Sequence, residues 1–416
     1  MPQLNIVDMF CGGGGESTGL MQAANKFGYD VKLSAINHWE RAIETHSANY
    51  PKAEHFCESV QNLNPEKVVP EHKLDLLWAS PECTHHSNAR GGKPRCEQSR
   101  ASAWEILKWL GELYVERVII ENVPEFMSWG PLDAEGHVID KAKGDTFKAF
   151  INGLKSLGYS VDWRILCAAD YGVATTRRRL FIQAVKGKKR ILWPEITNME
   201  DENNVFNLPK WRAAKEIIDW NISCPSIFNR SKPLAENTIK RIEYGIKSYW
   251  GTSAEPFLAI LRGCSKTRSL DKPLPTITTS GAHYALVQPF VSAIGQTSAK
   301  ARNRTIEQPL STICTKQEHG IVMPFITEYY GNGMAKSLEE PLPTLTTKDR
   351  FALVNQQGLD IGFRMLQPHE LSAATGFPRD YKFTGSKVEQ VKQIGNAVPP
   401  GFAEALLSAI LKEKVS

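Results

Sequence analysis

The strongest constraint on the fold of this chain is the alternation of strand-like and helical segments through its first 190 residues. The first strand-like segment, Leu4–Phe10, runs into a glycine turn at Gly12–Gly15 and then into a helical segment. Further apolar runs at Val31–Ile36, Leu74–Ala79 and Arg117–Ile120 are separated by helical patterns. Strands that alternate with helices form a mainly parallel sheet covered on both faces. The sequence therefore predicts an α/β fold.

The glycine turn is a weak signal for a nucleotide-type ligand. Glycines let the backbone approach a ligand closely, and the amino terminus of the following helix favours a polar or negative group. Dinucleotide oxidoreductases and adenosylmethionine enzymes share this signal. The next strand leads into Asn37-His38-Trp39-Glu40, at the distance of about 20 residues where an acid that holds a ribose is expected.

A second stretch, Leu77–Ser87, places Cys83 directly after an apolar strand. Loops at the carboxyl ends of parallel strands are where ligands bind in such sheets. A cysteine there suits a nucleophile, although a lone cysteine is more often a small buried apolar residue. The choice between these interpretations depends on the other motifs of the chain.

Composition excludes several classes of protein. The 416 residues carry a net charge of only +5, with concentrated basic runs at Arg177–Arg179 and Lys186–Arg190. The eight cysteines have no CxxC pair or zinc-ligand spacing, so we predict free thiols and no metal, also at His85 and His86. Without a signal peptide or a run of about 18 apolar residues, we expect a cytoplasmic protein with no membrane contact.

The middle of the chain loses the strand–helix rhythm and contains three imperfect repeats. The copies are Lys272–Thr279 (KPLPTITT), Gln308–Thr315 (QPLSTICT) and Glu340–Thr347 (EPLPTLTT). Apolar strand-like pieces flank each copy, and runs rich in Thr and Ile between Pro and Gly are typical of short strands. We therefore predict a small β-rich repeat domain over residues 191–360, and one domain built from residues 1–190 and 361–416.

Six motifs, in order, resemble the DNA cytosine-5 methyltransferases. They are Asp8–Gly15 with Gly19-Leu20, Ser80–Cys83 with Ser87, Glu121-Asn122-Val123, Arg177 with Arg179, Arg364–Leu366 with Glu370 and Gly376–Pro378, and Gln393–Pro399. The resemblance covers roughly residues 1–190 and 360–416. It implies a Rossmann-like S-adenosylmethionine-dependent methyltransferase domain with a target-recognition domain at 191–360.

The resemblance also implies roles for individual residues. The catalytic set is Cys83, Glu121, Arg177 and Arg179. The residues expected to bind S-adenosylmethionine are Phe10, Gly12, Gly14, Gly15, His38, Trp39, Glu58, Asn396 and Val398. Ser87 and the basic residues of the middle region, Arg262, Lys266, Arg302 and Arg304, are candidates for DNA contact.

Four positions depart from the family pattern. Glu82 stands where the family has a second proline, Thr84 where glutamine is common, and Thr175 where glutamine precedes the paired arginines. His38 stands where an acid holds the ribose hydroxyls, so either Glu40 takes that role or His38 itself makes a hydrogen bond.

The chemistry implied by the resemblance is methyl transfer to C5 of cytosine. Cys83 adds to C6, Glu121 bonds N3 as a neutral acid, Arg179 contacts O2 and Arg177 lies nearer the flanking phosphate. The base must leave the duplex, since C5 and C6 are inaccessible in the stack. We expect a monomer acting on a specific duplex DNA sequence, of bacterial or phage origin, with a cognate restriction endonuclease as a genetic partner.

Three other functions are compatible with parts of the sequence. A tRNA cytosine-5 methyltransferase of the same fold would not need the large repeat-bearing insert. A catalytically silent nucleic-acid-binding protein would not need Cys83, Glu121, Arg177 and Arg179 together. A nicotinamide oxidoreductase leaves Cys83 and the terminal Gly395-Asn396 motif unexplained.

Overall fold

The computed structural model describes residues 1–81, 97–133, 138–200, 206–223, 225–227, 230–234, 257–260, 267–276, 284–293, 303–305, 319–320, 325–328, 335–336, 351–354 and 359–415. The chain divides into two compact units. The first unit comprises Met1–Ile217, Pro273–Ala282 and Gln367–Ser416, and the second comprises Ile218–Lys272 and His283–Leu366. The domain boundaries at 190 and 361 stay a prediction.

The first unit contains a seven-stranded sheet and eight described α-helices. Its strands are β1 (Gln3–Met9), β2 (Asp30–Ile36), β3 (Glu54–Phe56), β4 (Lys73–Ala79), β5 (Tyr114–Asn122), β6 (Tyr159–Cys167) and β7 (Arg178–Lys186). Its helices are α1 (Gly15–Lys26), α2 (Glu40–Asn49), α3 (Pro65–Val68), α4 (Glu97–Glu112), α5 (Asp145–Ser156), α6 (Pro368–Thr375), α7 (Lys387–Asn396) and α8 (Pro400–Val415).

The strand order is β3-β2-β1-β4-β5-β7-β6. The first five strands in that order are parallel, whereas β7 is antiparallel to both of its neighbours, β5 and β6. The prediction of an α/β fold with a mainly parallel sheet is confirmed. The antiparallel strand β7 follows from a direct loop, 168–177, which is too short for a crossover helix.

Apolar residues cover both faces of the sheet because successive side chains of a strand point to opposite faces. In β4, Leu77 and Ala79 pack with α4 and α5 on one face, while Leu76 and Trp78 join the cluster that contains α1 and α8 on the other. Strands buried on both faces read as continuous apolar runs, which explains why β4 and β5 were recognisable in the sequence.

The second unit is rich in short antiparallel strands. The described strands are β8 (Phe257–Ile260), β9 (Thr267–Ser269), β10 (Tyr284–Ala293), β11 (Asn303–Thr305), β12 (His319–Gly320), β13 (Phe325–Glu328), β14 (Ala335–Lys336), β15 (Phe351–Val354) and β16 (Leu359–Met365). Strand β10 pairs with β8, β11, β12 and β16, and β13 pairs with β14 and β15. Two segments predicted as separate strands, Tyr284–Val287 and Phe290–Ile294, share the single strand β10.

The carboxyl-terminal helices return the chain to the first unit. The stretch Lys387–Glu413 is long and apolar enough to cross a membrane by length and composition alone, but 72% of its most apolar window is buried. Helix α8 packs along α1, with Phe402 and Leu406 in the core. This burial is typical of a core helix.

Candidate active site

The carboxyl ends of the parallel strands bring the predicted cofactor residues to one edge of the sheet. Met9 of β1 pairs with Ile36 of β2 and Ala79 of β4, and Ile36 pairs with Phe56 of β3. Phe10, the His38-Trp39 pair and Glu58 directly follow these strand ends. Since parallel strands end together, residues far apart in sequence share one edge.

The glycine turn has a tightly defined backbone. Phe10 has a φ of 69°, which is uncommon for a residue with a side chain, and Gly12 and Gly14 have φ values of 51° and 84°. The Gly14 N–H donates to the carbonyl of Cys11 at 2.9 Å. Gly15 is required by packing, because a Cβ atom there would collide with the carbonyl oxygen of Val398.

An aromatic cluster covers the glycine turn, and sequence reasoning did not find it. The Tyr381 hydroxyl donates to the carbonyl of Gly13 at 2.6 Å, and its ring contacts Phe377 and Phe383. Burial raises the pKa of Tyr381 well above its usual value, so the hydroxyl remains a donor. The three aromatics follow Gly376 within seven residues, which is a sequence signal that could have indicated them.

The predicted adenosine-binding residues lie at the ends of β2 and β3. His38 is exposed and Trp39 half-buried, with the Trp39 N–H held by the Asn37 side chain at 2.9 Å. The Lys392 ammonium lies 4.2 Å from the centre of the Trp39 ring, a cation–π contact that orients the indole. Glu58 is exposed and accepts a hydrogen bond from Asn62 at 3.1 Å.

Glu121 and Arg179 form a buried ion pair at the end of β5. Arg179 Nε lies 2.8 Å from Glu121 Oε1, and their side chains are only 13% and 9% exposed. Burial raises the pKa of Glu121, and the guanidinium groups of Arg179 and Arg177 oppose the shift without cancelling it. A carboxyl with a raised pKa beside a fixed guanidinium is suited to hold a proton and donate it.

Arg177 is buried where the sequence analysis expected a contact near a phosphate. It is 4% exposed, and its Nη1 and Nη2 atoms donate to the carbonyls of Gly395 at 3.0 Å and Asn396 at 3.5 Å. The guanidinium therefore joins the start of β7 to the end of α7. The side chain of Asn396 itself is exposed, and Val398 is buried.

Asn122 connects the ends of β4 and β5. Its Nδ2 atom donates to the carbonyl of Pro81 at 3.3 Å, and its Oδ1 atom accepts the Val123 N–H at 2.9 Å. Pro81 lies two residues before Cys83. The contact therefore fixes the position of Pro81 relative to Glu121. Pro81 is the start of the loop that carries the predicted nucleophile.

A series of hydrogen-bonded polar side chains, most of them buried, supports the glycine turn. Ser17 Oγ donates to Asp8 Oδ2 at 2.5 Å, His46 Nε2 lies 2.9 Å from Ser17 Oγ, and His46 Nδ1 lies 2.8 Å from His55 Nε2. Burial raises the pKa of Asp8 to about 7 and lowers that of His46 to about 3. His46 is therefore neutral, and the series extends from β1 to β3.

Glu16 is a buried acid near Ser80 that sequence reasoning missed. The Ser80 hydroxyl accepts from Trp78 Nε1 at 3.1 Å and lies near enough to the Glu16 carboxyl to lower its pKa. Glu16 is 3% exposed, and burial together with the charges of Asp8 and Glu121 raises its pKa well above the usual value. In sequence, a glutamate in the first turn of a helix reads as an ordinary exposed dipole partner.

Thr175 pairs with the first of the three repeats. Leu274 N–H donates to the carbonyl of Ala174 at 2.7 Å, Thr176 N–H donates to the carbonyl of Leu274 at 2.6 Å, and Thr175 Oγ1 donates to the carbonyl of Pro275 at 3.1 Å. This part of the repeat, in the first unit, supports the loop that leads to Arg177.

Several predicted residues lie outside the described residues or have backbone positions only. Arg304 lies in β11, where its backbone pairs with Val291. The residues outside the description are Cys83, Ser87, Arg262, Lys266 and Arg302. Their roles stay predictions.

Two of the described cysteines, Cys11 and Cys167, are poorly suited to act as nucleophiles. Cys11 is buried, and burial raises the pKa of its thiol well above the usual value, which disfavours a reactive thiolate. Burial also raises the pKa of Cys167. Within the described part of the chain, no group of three or more His, Cys, Asp and Glu residues is arranged to hold a metal ion.

The fold and this strand edge define the class: the first unit is a mainly parallel α/β domain with the fold of a methyltransferase domain. Solved structures agree on the fold. The methyltransferase EhMeth of Entamoeba histolytica aligns over 100% of both chains with a TM-score of 0.54 and 15% identity. DNMT2 of Spodoptera frugiperda aligns over 98% of this chain and 99% of its own, with a TM-score of 0.55 and 16% identity.

The chain belongs to the C-5 cytosine-specific DNA methylase family, whose family model matches residues 4–412. It is therefore an enzyme of the transferase class. The Type II methyltransferase M.AgeI of Thalassovita gelatinovora is 23% identical over 98% of this chain and 99% of its own length. The Type II methyltransferase M.XorII of Xanthomonas oryzae pv. oryzae is 25% identical over 98% of this chain and 84% of its own.

Proposed function

We propose that this enzyme transfers a methyl group from S-adenosylmethionine to C5 of a flipped-out cytosine in a specific duplex DNA sequence, through a covalent bond between Cys83 and C6. The observation that carries the proposal is the Glu121–Arg179 pair, 2.8 Å apart and buried at the end of β5. The adjacent residue Asn122 holds Pro81, at the start of the Cys83 loop. The acid, the guanidinium and the start of the nucleophile loop thus belong to three neighbouring strands, β5, β7 and β4.

The residues of the strand edge fit S-adenosylmethionine. Among the described residues, three buried oxygens near the glycine turn have no hydrogen-bond partner: Asp8 Oδ1, Glu16 Oε2 and Gln393 Oε1. Such acceptors suit the cationic groups of this cofactor, because a buried acceptor without a donor is costly. Trp39 and Glu58, at the ends of β2 and β3, are the residues that would hold the adenosine.

The proposed reaction balances in atoms and charge. The Cys83 thiolate donates its electron pair to C6, and the C5=C6 pair becomes available at C5. Bound S-adenosylmethionine would supply the methyl group: the electron pair at C5 forms the new bond to the methyl carbon while the sulfur–methyl bond breaks, which leaves a neutral thioether. A base then removes the C5 proton, the C5=C6 bond re-forms, and the Cys83 Sγ–C6 bond breaks.

Each chain residue has one task in this scheme. Glu121 in its neutral form donates to N3, where negative charge would otherwise collect, and its raised pKa supports that form. Arg179 contacts O2. Arg177, bonded to Gly395 and Asn396, acts as a positioning residue that holds the Arg179 strand against α7.

The target sequence would be read by the middle of the chain. We propose residues 191–360 as the target-recognition domain, with Arg262, Lys266, Arg302 and Arg304 as DNA contacts and Ser87 at the flipped base. We propose a role as a bacterial or phage modification enzyme with a restriction endonuclease as genetic partner, in line with the names of the Type II relatives. We also propose that the enzyme is cytoplasmic and monomeric.

The test uses duplex DNA that contains 5-fluorocytosine, together with labelled S-adenosylmethionine. Fluorine at C5 blocks the final elimination, so the wild-type enzyme is expected to form a stable, methyl-labelled protein–DNA adduct. Cys83→Ser is expected to form none. Cys57→Ser is the matched control, since Cys57 is an exposed thiol near the same edge and outside the proposed chemistry.

Three outcomes would contradict the proposal. If folded, cofactor-bound wild type forms no adduct with a DNA pool that contains the target site, the DNA reaction is wrong. An adduct with 5-fluorocytosine tRNA but not with DNA would instead establish the tRNA enzyme. Retention of the DNA adduct in Cys83→Ser would show that another residue is the nucleophile.

A further inference from the structure

We propose that Glu16 is a specificity-determining residue of the cofactor site, which recognises the positive charge of the sulfonium and so favours S-adenosylmethionine over the neutral product S-adenosylhomocysteine. The inference deepens the proposed function and rests on it. The glycine motif does not use this side chain, and above it is only one of three unpaired oxygens, with no cationic group of the cofactor assigned to it.

The first argument is the position of Glu16 between the cofactor turn and the residues that would hold cytosine. Glu16 lies in the first turn of α1, directly after the glycine turn, and Ser80 at the end of β4 is near enough to lower the pKa of its carboxyl. It is also close enough to Glu121 for their charges to interact. The side chain therefore lies between the cofactor turn and the groups that would hold cytosine.

The second argument is where methyl transfer must occur. The methyl group has to pass from the cofactor at the glycine turn to a cytosine between Cys83 and Glu121. The sulfonium is thus expected at the boundary between the ends of β1 and β4. Glu16, which follows β1 and the glycine turn, and Ser80, which follows β4, lie on the two sides of this boundary.

The third argument is charge. Asp8, Glu16 and Glu121 are buried carboxyls along this edge, and only Glu121 has an ion-pair partner there among the described residues. The Glu16 Oε2 atom has no hydrogen-bond partner in the described part of the chain. A cation nearby would stabilise an ionised Glu16, and low solvent exposure strengthens the attraction.

An independent observation places a second unpaired acceptor at the same turn. Gln393, from α7, is buried, and its Oε1 atom has no partner among the described residues. A Cβ atom on Gly13 would lie 3.5 Å from this oxygen. Two unpaired acceptors from different elements, Glu16 and Gln393, therefore lie near the glycine turn.

The test is calorimetric binding of three ligands to the full chain without DNA. S-adenosylmethionine carries a sulfonium, sinefungin an amine that is cationic at neutral pH, and S-adenosylhomocysteine a neutral thioether, while all three share the amino-acid ammonium. Glu16→Gln is expected to weaken the first two by about tenfold, which corresponds to about 1.4 kcal/mol, and to change the third less than twofold.

The control is Asp30→Asn, which removes one exposed negative charge at the opposite end of β2 and is expected to leave all three affinities unchanged. If Glu16→Gln does not fold, Glu16→Leu makes the same comparison without a buried amide. Equal weakening of all three ligands, or no weakening, overturns the assignment. Wild type that binds none of them contradicts the proposed function instead, and this outcome is distinct.

Discussion

Arg177 Nη1 donates to the carbonyl of Gly395 at 3.0 Å, and this hydrogen bond joins residues 218 positions apart in the chain. A second donation, to Asn396, uses the other end of the same guanidinium. The loop before β7 and the last motif of the chain are thereby held together by one buried side chain.

The Arg177 contacts predict that Arg177→Lys destabilises the protein. An ammonium cannot span both carbonyls, so one of two buried acceptors loses its donor, at a cost of about 1–3 kcal/mol in the free energy of unfolding. Urea unfolding measures the change. The neighbouring Arg178→Lys is the control because Arg178 is exposed, and equal stability of the two variants would contradict the prediction.

The Asn122 contacts predict a defect in catalysis rather than in cofactor binding. Asn122→Asp keeps the acceptor for Val123 but replaces the donor to Pro81 with an oxygen that repels its carbonyl. We expect the rate of adduct formation with 5-fluorocytosine DNA to fall at least about tenfold. S-adenosylmethionine affinity should stay within about twofold of wild type.

The control for this experiment is Asn25→Asp, an exposed position in α1, which should leave the adduct rate unchanged. A wild-type adduct rate in Asn122→Asp would show that the contact with Pro81 does not set the nucleophile loop.

The buried Asp8 predicts a pH dependence of stability. Its pKa of about 7 in the folded protein lies above the ordinary value of 3.8, so the folded state retains a proton that the unfolded state releases. The associated stability is present below about pH 4 and is lost as pH rises to about 7. Because asparagine does not titrate, Asp8→Asn is expected not to lose this stability as pH rises.

The measurement is the free energy of unfolding at pH 5 and pH 7 for wild type and Asp8→Asn. Between pH 5 and pH 7, the free energy of unfolding of wild type should fall by about 2 kcal/mol more than that of Asp8→Asn. His46 also titrates, but it is common to both proteins. Asp30→Asn, at an exposed site, should run parallel to wild type, and parallel behaviour of Asp8→Asn would refute the assignment.

The contact between α1 and α8 predicts that Gly19→Ala is destabilising. A Cβ atom there would collide with the Pro400 carbonyl and the Glu404 amide, which are backbone atoms of α8. We expect a loss of about 1–3 kcal/mol in the free energy of unfolding. Gly111→Ala in α4 has open space and should gain about 0.5–1 kcal/mol from helix propensity. The same sign for both variants would contradict the packing argument.

The sequence was sufficient for elements whose signal is local. Strands β1, β4 and β5 are buried on both faces, so their apolar runs stand out, and the observed bounds differ from the predicted ones by at most a few residues. The catalytic pair Glu121 and Arg179 was predicted from motifs, and the structure brings the two side chains together. The role of each residue in the reaction remains a proposal.

Other features depend on partners that the sequence does not reveal. The sequence pattern of Trp211–Trp220 indicates a helix, but the structure has a short 3-10 turn there, Ala214–Ile217. Trp211 in this segment donates to Asp170 at 2.9 Å. The two segments beside the repeats that were predicted as separate strands, Tyr284–Val287 and Phe290–Ile294, belong to the single strand β10, because β16 pairs with residues of both. Local periodicity indicates which face is buried, but not which element covers it.

The sequence by itself determined the class of fold, the order of the motifs and the family, because periodicity and motif spacing are properties of neighbouring residues. Only the tertiary structure decided that Arg177 is buried against Gly395 and that Asn122 holds Pro81. Each is a buried polar group whose partner comes from a distant segment. A buried polar group requires a partner, and folding alone determines which residue supplies it.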